Sequence, residues 1–170
     1  VTVKPCTPFG NQEIDFLDSL SKILMSNNNA RNFPDIISFA FWCRKKNIKS
    51  LKNKLNTAET RIGLGCIFHI TPSNVPLNFA YSFAFGLLTG NSNIVKLPSE
   101  NFPQTKIVCN AISKIIKRSE FKIIGKKNHF FKYNSNETDI TKNLSSKIDG
   151  RVVWGGDKTV EMVKNFKTKP

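Results

Sequence analysis

The sequence lacks any apolar run of the roughly 18 residues that a membrane-spanning helix needs. Its longest apolar stretch, residues 79–88, is interrupted by Tyr81, Ser82 and Gly86. Residues 1–10 do not show the basic-then-apolar order of a secretory signal peptide. We therefore expect no membrane span and predict a cytoplasmic protein.

Cysteine is also scarce, with four residues at positions 6, 43, 66 and 109 and no Cys-x-x-Cys spacing. A disulfide framework or a cysteine metal site would need clustered cysteines. The simplest interpretation is four reduced thiols, and the sequence predicts no metal site.

Acidic residues are few, since 12 Asp and Glu stand against 26 Lys and Arg and the formal net charge is +14. Such a basic chain is a candidate for binding nucleic acid, because lysine and arginine neutralise phosphates. Here the lysines are scattered, with only short clusters at 44–46, 49–54 and 126–127. We therefore predict no nucleic-acid partner, whereas attraction for a dinucleotide or coenzyme A fits the same charge equally well.

The length of 170 residues is enough for one substantial core. In the first sixty residues, apolar side chains from Ile14 to Leu24 recur at helical spacing, and Pro34 suits the first turn of a second helix. A basic, exposed helix or loop is predicted over 44–56.

From residue 61 onwards, short apolar runs alternate with segments of helical length. Strands are predicted at 63–70, 93–97, 130–133 and 151–154, and helices at 76–88, 102–117, 138–148 and after Gly155-Gly156. This alternation predicts an α/β fold in which helices cover both faces of a mostly parallel sheet. Ligands bind at the carboxyl ends of strands in such sheets, so the candidate site segments are those that follow the strands: 71–76, 97–100, 133–136 and 155–158.

The first of these segments is a polar turn stiffened by two prolines. Thr71, Ser73 and Asn74 are its side chains able to hydrogen-bond a ligand, and Pro72 lies between them. A side-chain amide in a rigid, half-buried turn suits stabilisation of a developing oxyanion. Ser73 or Asn74 capping the following helix is an equally ordinary role for these residue types, and both readings stay open at this point.

The sequence GCIFHITPSNVP at 65–76, continued by GLLTGNSNIVKLPSE at 86–100, resembles the aldehyde dehydrogenase superfamily. That superfamily has a strand, a PWNFP-like turn, a helix and a second strand that ends in a KPSE-like sequence. The PSNVP variant and the later VWGGD at 153–157 are most similar to the acyl-CoA and acyl-protein thioester reductases, the family of the fatty-acid reductase of bacterial luminescence. The resemblance covers roughly a third of the chain.

The resemblance implies a Rossmann-like, mostly parallel sheet preceded by N-terminal helices. It divides the chain into an N-terminal helical segment, 1–60, packed on an incomplete dinucleotide-binding domain, 61–170. The catalytic domain of the family is expected to be missing from these residues. Members of the family are usually homo-oligomers, so we expect one here when the protein is at full length.

Roles of individual residues also follow from the resemblance. Asn74 matches the asparagine whose amide helps to stabilise the oxyanion, which favours catalysis over capping, and residues 71–73 match the lining of the nicotinamide half of the cofactor site. Lys96 matches a strand-end lysine that lies against the adenosine ribose. Gly155 and Gly156 match a small-residue turn against the cofactor pyrophosphate, at a helix N-terminus suited to anions.

The segment after Lys96 departs from the family pattern. The superfamily often has a glutamate three residues after the lysine, which binds the ribose hydroxyls, but Leu97 is inserted here and the third position is Ser99. A neutral residue there removes repulsion of a 2′-phosphate, and Lys96 is able to pair with one. We therefore predict NADPH as the cofactor with Ser99 in its site, NADH being possible; Glu100, one residue later, is the main argument against this preference.

The activity that the resemblance implies is NAD(P)H-dependent reduction of an acyl-CoA or other acyl thioester to an aldehyde, through a thioacyl-cysteine intermediate. None of the four cysteines matches the nucleophile: Cys66 and Cys109 are predicted to be small buried residues. The nucleophile is expected after position 170, so this chain alone is expected to be inactive. His69 and His129 are predicted to be strand residues with satisfied nitrogens.

Two other functions stay open from the sequence. Within the superfamily, the alternative is an ordinary aldehyde dehydrogenase or an acyl-phosphate reductase; a general-base glutamate elsewhere in the protein would favour the oxidising enzyme. Outside it, the alternative is a non-catalytic basic module that binds nucleic acid, for which salt-sensitive DNA binding without NADPH binding would be the sign.

Overall fold

The computed structural model describes residues 4–55 and 60–169. The helices in that part of the chain are α1 (Asn11–Ser26), α2 (Pro34–Trp42), α3 (Lys45–Lys54), α4 (Asn78–Leu88), α5 (Pro103–Ile116), α6 (Lys122–Lys127), α7 (Thr138–Ser145) and α8 (Asp157–Lys164). The strands are β1 (Cys66–Ile70), β2 (Ser92–Lys96), β3 (Asn128–Phe131) and β4 (Gly150–Val153).

The four strands form one sheet in the order β3-β2-β1-β4, and every neighbouring pair is parallel. The chain therefore runs outward from β1 through β2 to β3 and then returns to place β4 on the other side of β1. A reversal of this kind opens a crevice at the carboxyl ends of the two strands that flank it. The predicted α/β fold is confirmed.

Helices cover both faces of the sheet, as predicted. On one face α1, α2, α4, α5 and α6 enclose the larger apolar cluster, in which the ring of Phe16 packs edge-on against Phe83 and Phe121 at centroid distances of 6.1 and 5.5 Å. On the other face α7 and α8 cover a smaller cluster built on Phe68 and Ile70 of β1. Alternate residues of β1 thus serve opposite faces, which is the two-residue period of a strand.

The N-terminal helices contribute directly to the larger cluster. Helix α1 contacts α2, α3, α4 and α5, so the helices before β1 and those that cross over the sheet share one core. Helix α3 occupies most of the predicted basic segment, whose last residue, Asn56, lies outside the described residues. The division of the chain at 60/61 stays a prediction.

The boundaries of the strands and helices predicted after residue 61 differ from the observed ones by up to three residues, and one helix was not predicted. Strand β1 begins at Cys66 rather than at 63, because Gly65 takes a left-handed φ of +126° and the amides of Leu64 and Gly65 donate to Asn91 Oδ1 instead of to a strand. Helix α6 was not predicted: its six residues include one glycine and only one buried side chain, Ile124. A single turn of that kind has too few residues to show a helical period.

A series of linked hydrogen bonds, buried except at the exposed Trp154 where it begins, crosses the larger-cluster face of the sheet. The indole N–H of Trp154, which follows β4, donates to Ser82 Oγ on α4 at 3.0 Å, and Ser82 Oγ lies 2.7 Å from His69 Nδ1 on β1. His69 Nε2 lies 2.8 Å from Asn93 Oδ1 on β2, and Asn93 Nδ2 donates to Asn128 Oδ1 on β3 at 2.7 Å. Each strand therefore contributes a residue, within it or directly after it, to this series of hydrogen bonds.

The donors and acceptors fix the tautomer of His69. Asn93 uses its amide nitrogen as a donor, so its oxygen accepts and His69 Nε2 must carry the proton. Nδ1 then accepts from the hydroxyl of Ser82, whose oxygen accepts from Trp154. The prediction that His69 has satisfied nitrogens is confirmed, while His129 on β3 is exposed.

Gly86 of α4 leaves the room that this arrangement needs. A Cβ on this residue would collide with Asn93 Oδ1 and would lie 2.7 Å from His69 Nε2. Any larger side chain would break the bond between those two atoms, so the glycine is required by close approach rather than by its backbone angles.

No helix among the described residues has both the length and the apolar character to cross a bilayer.

The burial of His69 predicts how stability depends on pH. The side chain is 1 % exposed, and burial lowers its pKa below 6.5, although the bond to Asn93 opposes this. Below pH 6.5 the unfolded chain therefore binds a proton that the folded protein does not. The free energy of unfolding should be greatest above pH 6.5 and should fall by up to about 1.4 kcal/mol per pH unit below it. Urea unfolding between about pH 5 and 7 measures this slope.

The two histidines provide the matched variants. His129→Gln should keep the native slope, because that residue is exposed, whereas His69→Gln should lower stability at pH 7 and flatten the slope. An unchanged slope in His69→Gln would show that another group causes the acid sensitivity.

Candidate functional site

A crevice of about 360 Å³ opens at the carboxyl ends of β1 and β4, where the order of the strands reverses. Residues 71–74, which follow β1, form one wall. Residues 154–156, which follow β4, and the first turns of α8 form the other, and Lys96 from the end of β2 reaches between them. This is the position at which open parallel sheets hold their ligands.

Most of the residues predicted from the sequence meet in this crevice. Its lining includes seven of the eight predicted site residues: Thr71, Pro72, Ser73, Asn74, Lys96, Gly155 and Gly156. The eighth, Ser99, is half-buried beyond the end of β2 and does not line the crevice. Their individual roles stay predictions.

Lys96 carries the charge of the crevice. Its side chain is only 4 % exposed; Nζ donates to Ser135 Oγ at 3.2 Å and lies 5.2 Å from the centre of the Tyr133 ring. Burial lowers the pKa of Lys96 from its usual value. No described carboxylate pairs with this amine, so an anion in the crevice would meet a desolvated cation, which attracts it more strongly than a surface lysine would.

Thr71 joins the ends of the two central strands. Its hydroxyl donates to the backbone oxygen of Lys96 at 2.6 Å, and the residue is buried. This bond fixes the start of the polar turn relative to the buried lysine. Thr71 therefore positions the turn, while the residues after it remain open to the crevice.

Asn74 lies in that turn with an exposed side chain, not the half-buried one that the sequence suggested. Helix α4 begins only at Asn78, its N-cap residue is Leu77, and no side chain caps it. The hypothesis that Ser73 or Asn74 caps this helix is therefore wrong, because both residues lie too far before its first residue. The amide of Asn74 keeps its hydrogen-bonding capacity for the crevice that it lines.

The glycine turn after β4 leads directly into α8. Gly156 is the N-cap residue and Asp157 begins the helix, so the amides of its first turn lie beside the crevice. A Cβ on Gly156 would meet no atom within 4 Å, which means that open space adjoins the backbone there. Free amides and a positive dipole end make this the anion-binding end of a helix. Asp157 is exposed and does not line the crevice.

Sequence reasoning missed several lining residues. The sequence predicts Trp154 at the end of a strand and Thr159 and Met162 in the helix after Gly155-Gly156, yet all three line the crevice. Thr159 and Met162 are three positions apart, so they share one side of α8. The sequence does not show how α8 is oriented, and it is this orientation that places the side with Thr159 and Met162 against the crevice.

No Asp or Glu is among the described residues that line the crevice, and Lys96 is the only charged one. Glu100, the residue that argued against NADPH, is exposed and lines a separate cavity with Lys132. The crevice is thus electropositive, as binding of a dinucleotide phosphate requires.

Trp154 separates the crevice from an apolar groove on the other face of the sheet. The groove has a volume of about 480 Å³, and Leu64, Phe85 and Val152 are among its exposed apolar residues. Because the indole N–H of Trp154 is bonded to Ser82, the series of linked hydrogen bonds fixes the wall between the two spaces.

The cysteines lie away from the crevice lining. Cys43 is buried, and burial raises its pKa. Burial also raises the pKa of Cys109 to about 11, and burial together with the nearby Asp149 carboxylate raises the pKa of Cys66. Cys66 and Cys109 are half-buried, a correction to the prediction that they are small buried residues. Across residues 4–55 and 60–169, no three His, Cys, Asp or Glu side chains are grouped so as to hold a metal ion.

A family model described as acyl-CoA reductase (LuxC) matches residues 8–170. A search of curated proteins found no match.

Solved structures share the fold at low sequence identity. The gamma-glutamyl phosphate reductase of Saccharomyces cerevisiae is similar with a TM-score of 0.63 and 14 % identity, over 94 % of this chain and 49 % of that one. An NAD-dependent benzaldehyde dehydrogenase from Corynebacterium glutamicum gives 0.60 and 14 %, over 96 % and 41 %. The glyceraldehyde-3-phosphate dehydrogenase GapN of Methanocaldococcus jannaschii, complexed with NADP, gives 0.51 and 17 %, over 94 % and 39 %. The chain thus spans about half the length of the reductase and less of the dehydrogenases.

The thiols of Cys43, Cys66 and Cys109 allow a direct test of whether any of these three cysteines is activated. Because the pKa values of Cys43, Cys66 and Cys109 are raised, iodoacetamide at pH 7 should alkylate each of them more slowly than it alkylates free cysteine. Mass spectrometry of peptides after timed labelling gives the three rates. Labelling in urea is the control, in which all three should react at the rate of free cysteine; faster reaction of any of them in the folded protein would contradict the assignment.

Proposed function

This chain belongs to the acyl-CoA reductase (LuxC) family, and we propose on that premise that it is the dinucleotide-binding part of an NADPH-dependent reductase of acyl thioesters. The resemblance predicted from the sequence is confirmed by the family match and by the fold of the structural neighbours. The whole enzyme would convert an acyl-CoA, or an acyl group carried on another thiol, to an aldehyde.

The crevice suits a nicotinamide dinucleotide in shape and in charge. Open space beside the Gly156 backbone and the amides at the start of α8 would receive the pyrophosphate. The buried amine of Lys96 would lie on the adenosine side. The turn at 71–74 would adjoin the nicotinamide ring, which when bound in its reduced form supplies the hydride.

The preference for NADPH is supported by what surrounds Lys96. An enzyme that selects NADH commonly presents a carboxylate to the ribose hydroxyls, and no described carboxylate lines this crevice. Glu100 lines a different cavity. A 2′-phosphate would therefore meet the Lys96 ammonium without an opposing charge.

Asn74 would act on the acyl group. A cysteine thiolate from another part of the protein would attack the thioester carbonyl, and the bond to the CoA sulfur would break and release the thiol. Hydride addition to the resulting thioacyl carbonyl and cleavage of its bond to the cysteine sulfur would give the aldehyde. In both steps negative charge develops on the carbonyl oxygen, and the amide of Asn74, which is exposed and lines the crevice, would donate a hydrogen bond to it.

A single observation supports the proposal most strongly. A buried lysine that pairs with no described carboxylate and a glycine helix start converge in one crevice, next to an asparagine that does not cap the helix after it. Acyl-phosphate reduction would use the same crevice with phosphate as the leaving group. An assay of the full-length protein with an acyl-CoA and, separately, with the corresponding acyl phosphate distinguishes the two reactions by which substrate yields aldehyde at the higher rate.

Replacement of the buried lysine tests the cofactor site in this chain. Lys96→Met keeps much of the side-chain length but removes the charge, so it should weaken NADPH binding about tenfold or more and NADH binding less. Lys114→Met, on the exposed side of α5, is the matched control and should leave both affinities unchanged. Titration calorimetry measures all four values.

Two results would argue against the proposal in different ways. Tighter binding of NADH than of NADPH by the native chain would overturn the 2′-phosphate assignment alone. Equal loss in Lys96→Met and Lys114→Met would show that NADPH responds to overall charge and not to this crevice.

A further inference from the structure

We infer that a second anion site, for a phosphate-type dianion, lies at the amino edge of the sheet, opposite the candidate cofactor crevice. A cavity of about 540 Å³ opens there between the starts of β1 and β2, the end of α6 and the end of α7. The residues that define this amino-edge cavity are Ser92, Lys126, Lys127, Lys147, Asp149 and Lys169. It is independent of the proposed function, because it shares no residue with the crevice.

The cavity has an excess of positive charge. Four lysines and one aspartate line it, which leaves a net charge of +3, and its one histidine, His129, is exposed. Asp149 is already satisfied, because it accepts from the Cys66 amide at 2.8 Å and from Lys169 Nζ at 2.7 Å, bonds that lower its pKa. This carboxylate therefore neutralises one lysine and leaves the others.

Two of the remaining lysines are available to a ligand. Lys127 Nζ donates to Cys6 Sγ at 3.2 Å, whereas the side-chain amines of Lys126 and Lys147 make no hydrogen bond or ion pair within the part of the chain that the structure describes. They come from different elements, α6 and the segment after α7, and both line the cavity. Both residues are exposed, so their ammonium groups are accessible to an anion that enters the cavity.

The floor of the cavity contains an unsatisfied hydroxyl. Ser92, the first residue of β2, is 3 % exposed, and its Oγ has no hydrogen-bond partner among the described residues. Its neighbour Asn93 points to His69 on the opposite face, so Ser92 points to the side on which the cavity lies. A buried hydroxyl without a partner costs free energy, and a ligand oxygen in the cavity would satisfy it.

The chemistry of these groups selects the class of ligand. Lysines provide strong point charges, and a tetrahedral dianion is able to accept from two ammonium groups and a hydroxyl at once. The site is distinct from the crevice, because β2 separates Ser92 from Lys96 by four residues, or roughly 13 Å. A phosphate monoester or free phosphate therefore fits the amino-edge cavity.

Amide NMR of the intact chain, titrated with inorganic phosphate against sodium chloride of equal ionic strength, tests this inference. We expect saturable shifts at Ser92, at 126–129 and at 147–149 that chloride does not reproduce. Ser92→Ala should weaken binding about threefold, and Lys126→Gln with Lys147→Gln about tenfold or more. The control pair Lys114→Gln and Lys117→Gln, exposed on and just after α5, should bind as the native chain does.

Further experiments separate this site from the cofactor crevice and from a nucleic-acid surface. Saturation with NADPH should leave the phosphate affinity unchanged, and failure of NADPH to bind would count against the proposed function alone. Shifts that do not saturate, that chloride reproduces, or that centre on Gly155 and Gly156 would overturn the amino-edge site. A short DNA duplex that binds equally through Lys114 and Lys117 would overturn it in favour of a diffuse nucleic-acid surface.

Discussion

The hydrogen bonds of a single buried histidine tie the strands of this sheet together. His69 reaches β2 through Asn93 and α4 through Ser82, and those two residues extend the chain of bonds to Asn128 on β3 and to Trp154 after β4. In a low-dielectric interior each of these groups would be costly to leave unpaired. This series of hydrogen bonds therefore favours one arrangement of the strands, and that arrangement places the carboxyl ends of β1 and β4 side by side.

The fold and much of the site were predictable because their signals are local. Apolar runs such as CIFHI, the proline turn at 71–76 and the glycine pair at 155–156 mark strand ends in the sequence itself. Trp154 and Ser82 could not be paired in advance, because 72 positions separate them and only the packing of α4 on β1 and β2 brings them together. The exposure of Asn74 depends on where α4 begins, and element boundaries are the weakest part of any sequence-based reading.

The shared fold does not by itself specify the chemistry. Structural neighbours at 14–17 % identity include an acyl-phosphate reductase and aldehyde dehydrogenases, so the architecture is common to reactions in both directions. The proposed function therefore rests on residues of this chain: a crevice lining in which Lys96 is the only charged described residue, and an asparagine that does not cap the helix after it. Most of its +14 charge lies elsewhere on the surface, where solvent screens it, so we propose that the buried Lys96 contributes more to anion recognition than the total charge suggests.

The location of a bound dinucleotide tests the central claim most directly. A crystal structure of this chain grown with NADPH should show the pyrophosphate against the Gly155 and Gly156 amides, the 2′-phosphate within reach of Lys96 Nζ, and the nicotinamide beside Asn74. Density for the dinucleotide outside the crevice between β1 and β4, or an Asn74 amide directed away from the nicotinamide ring, would contradict the account.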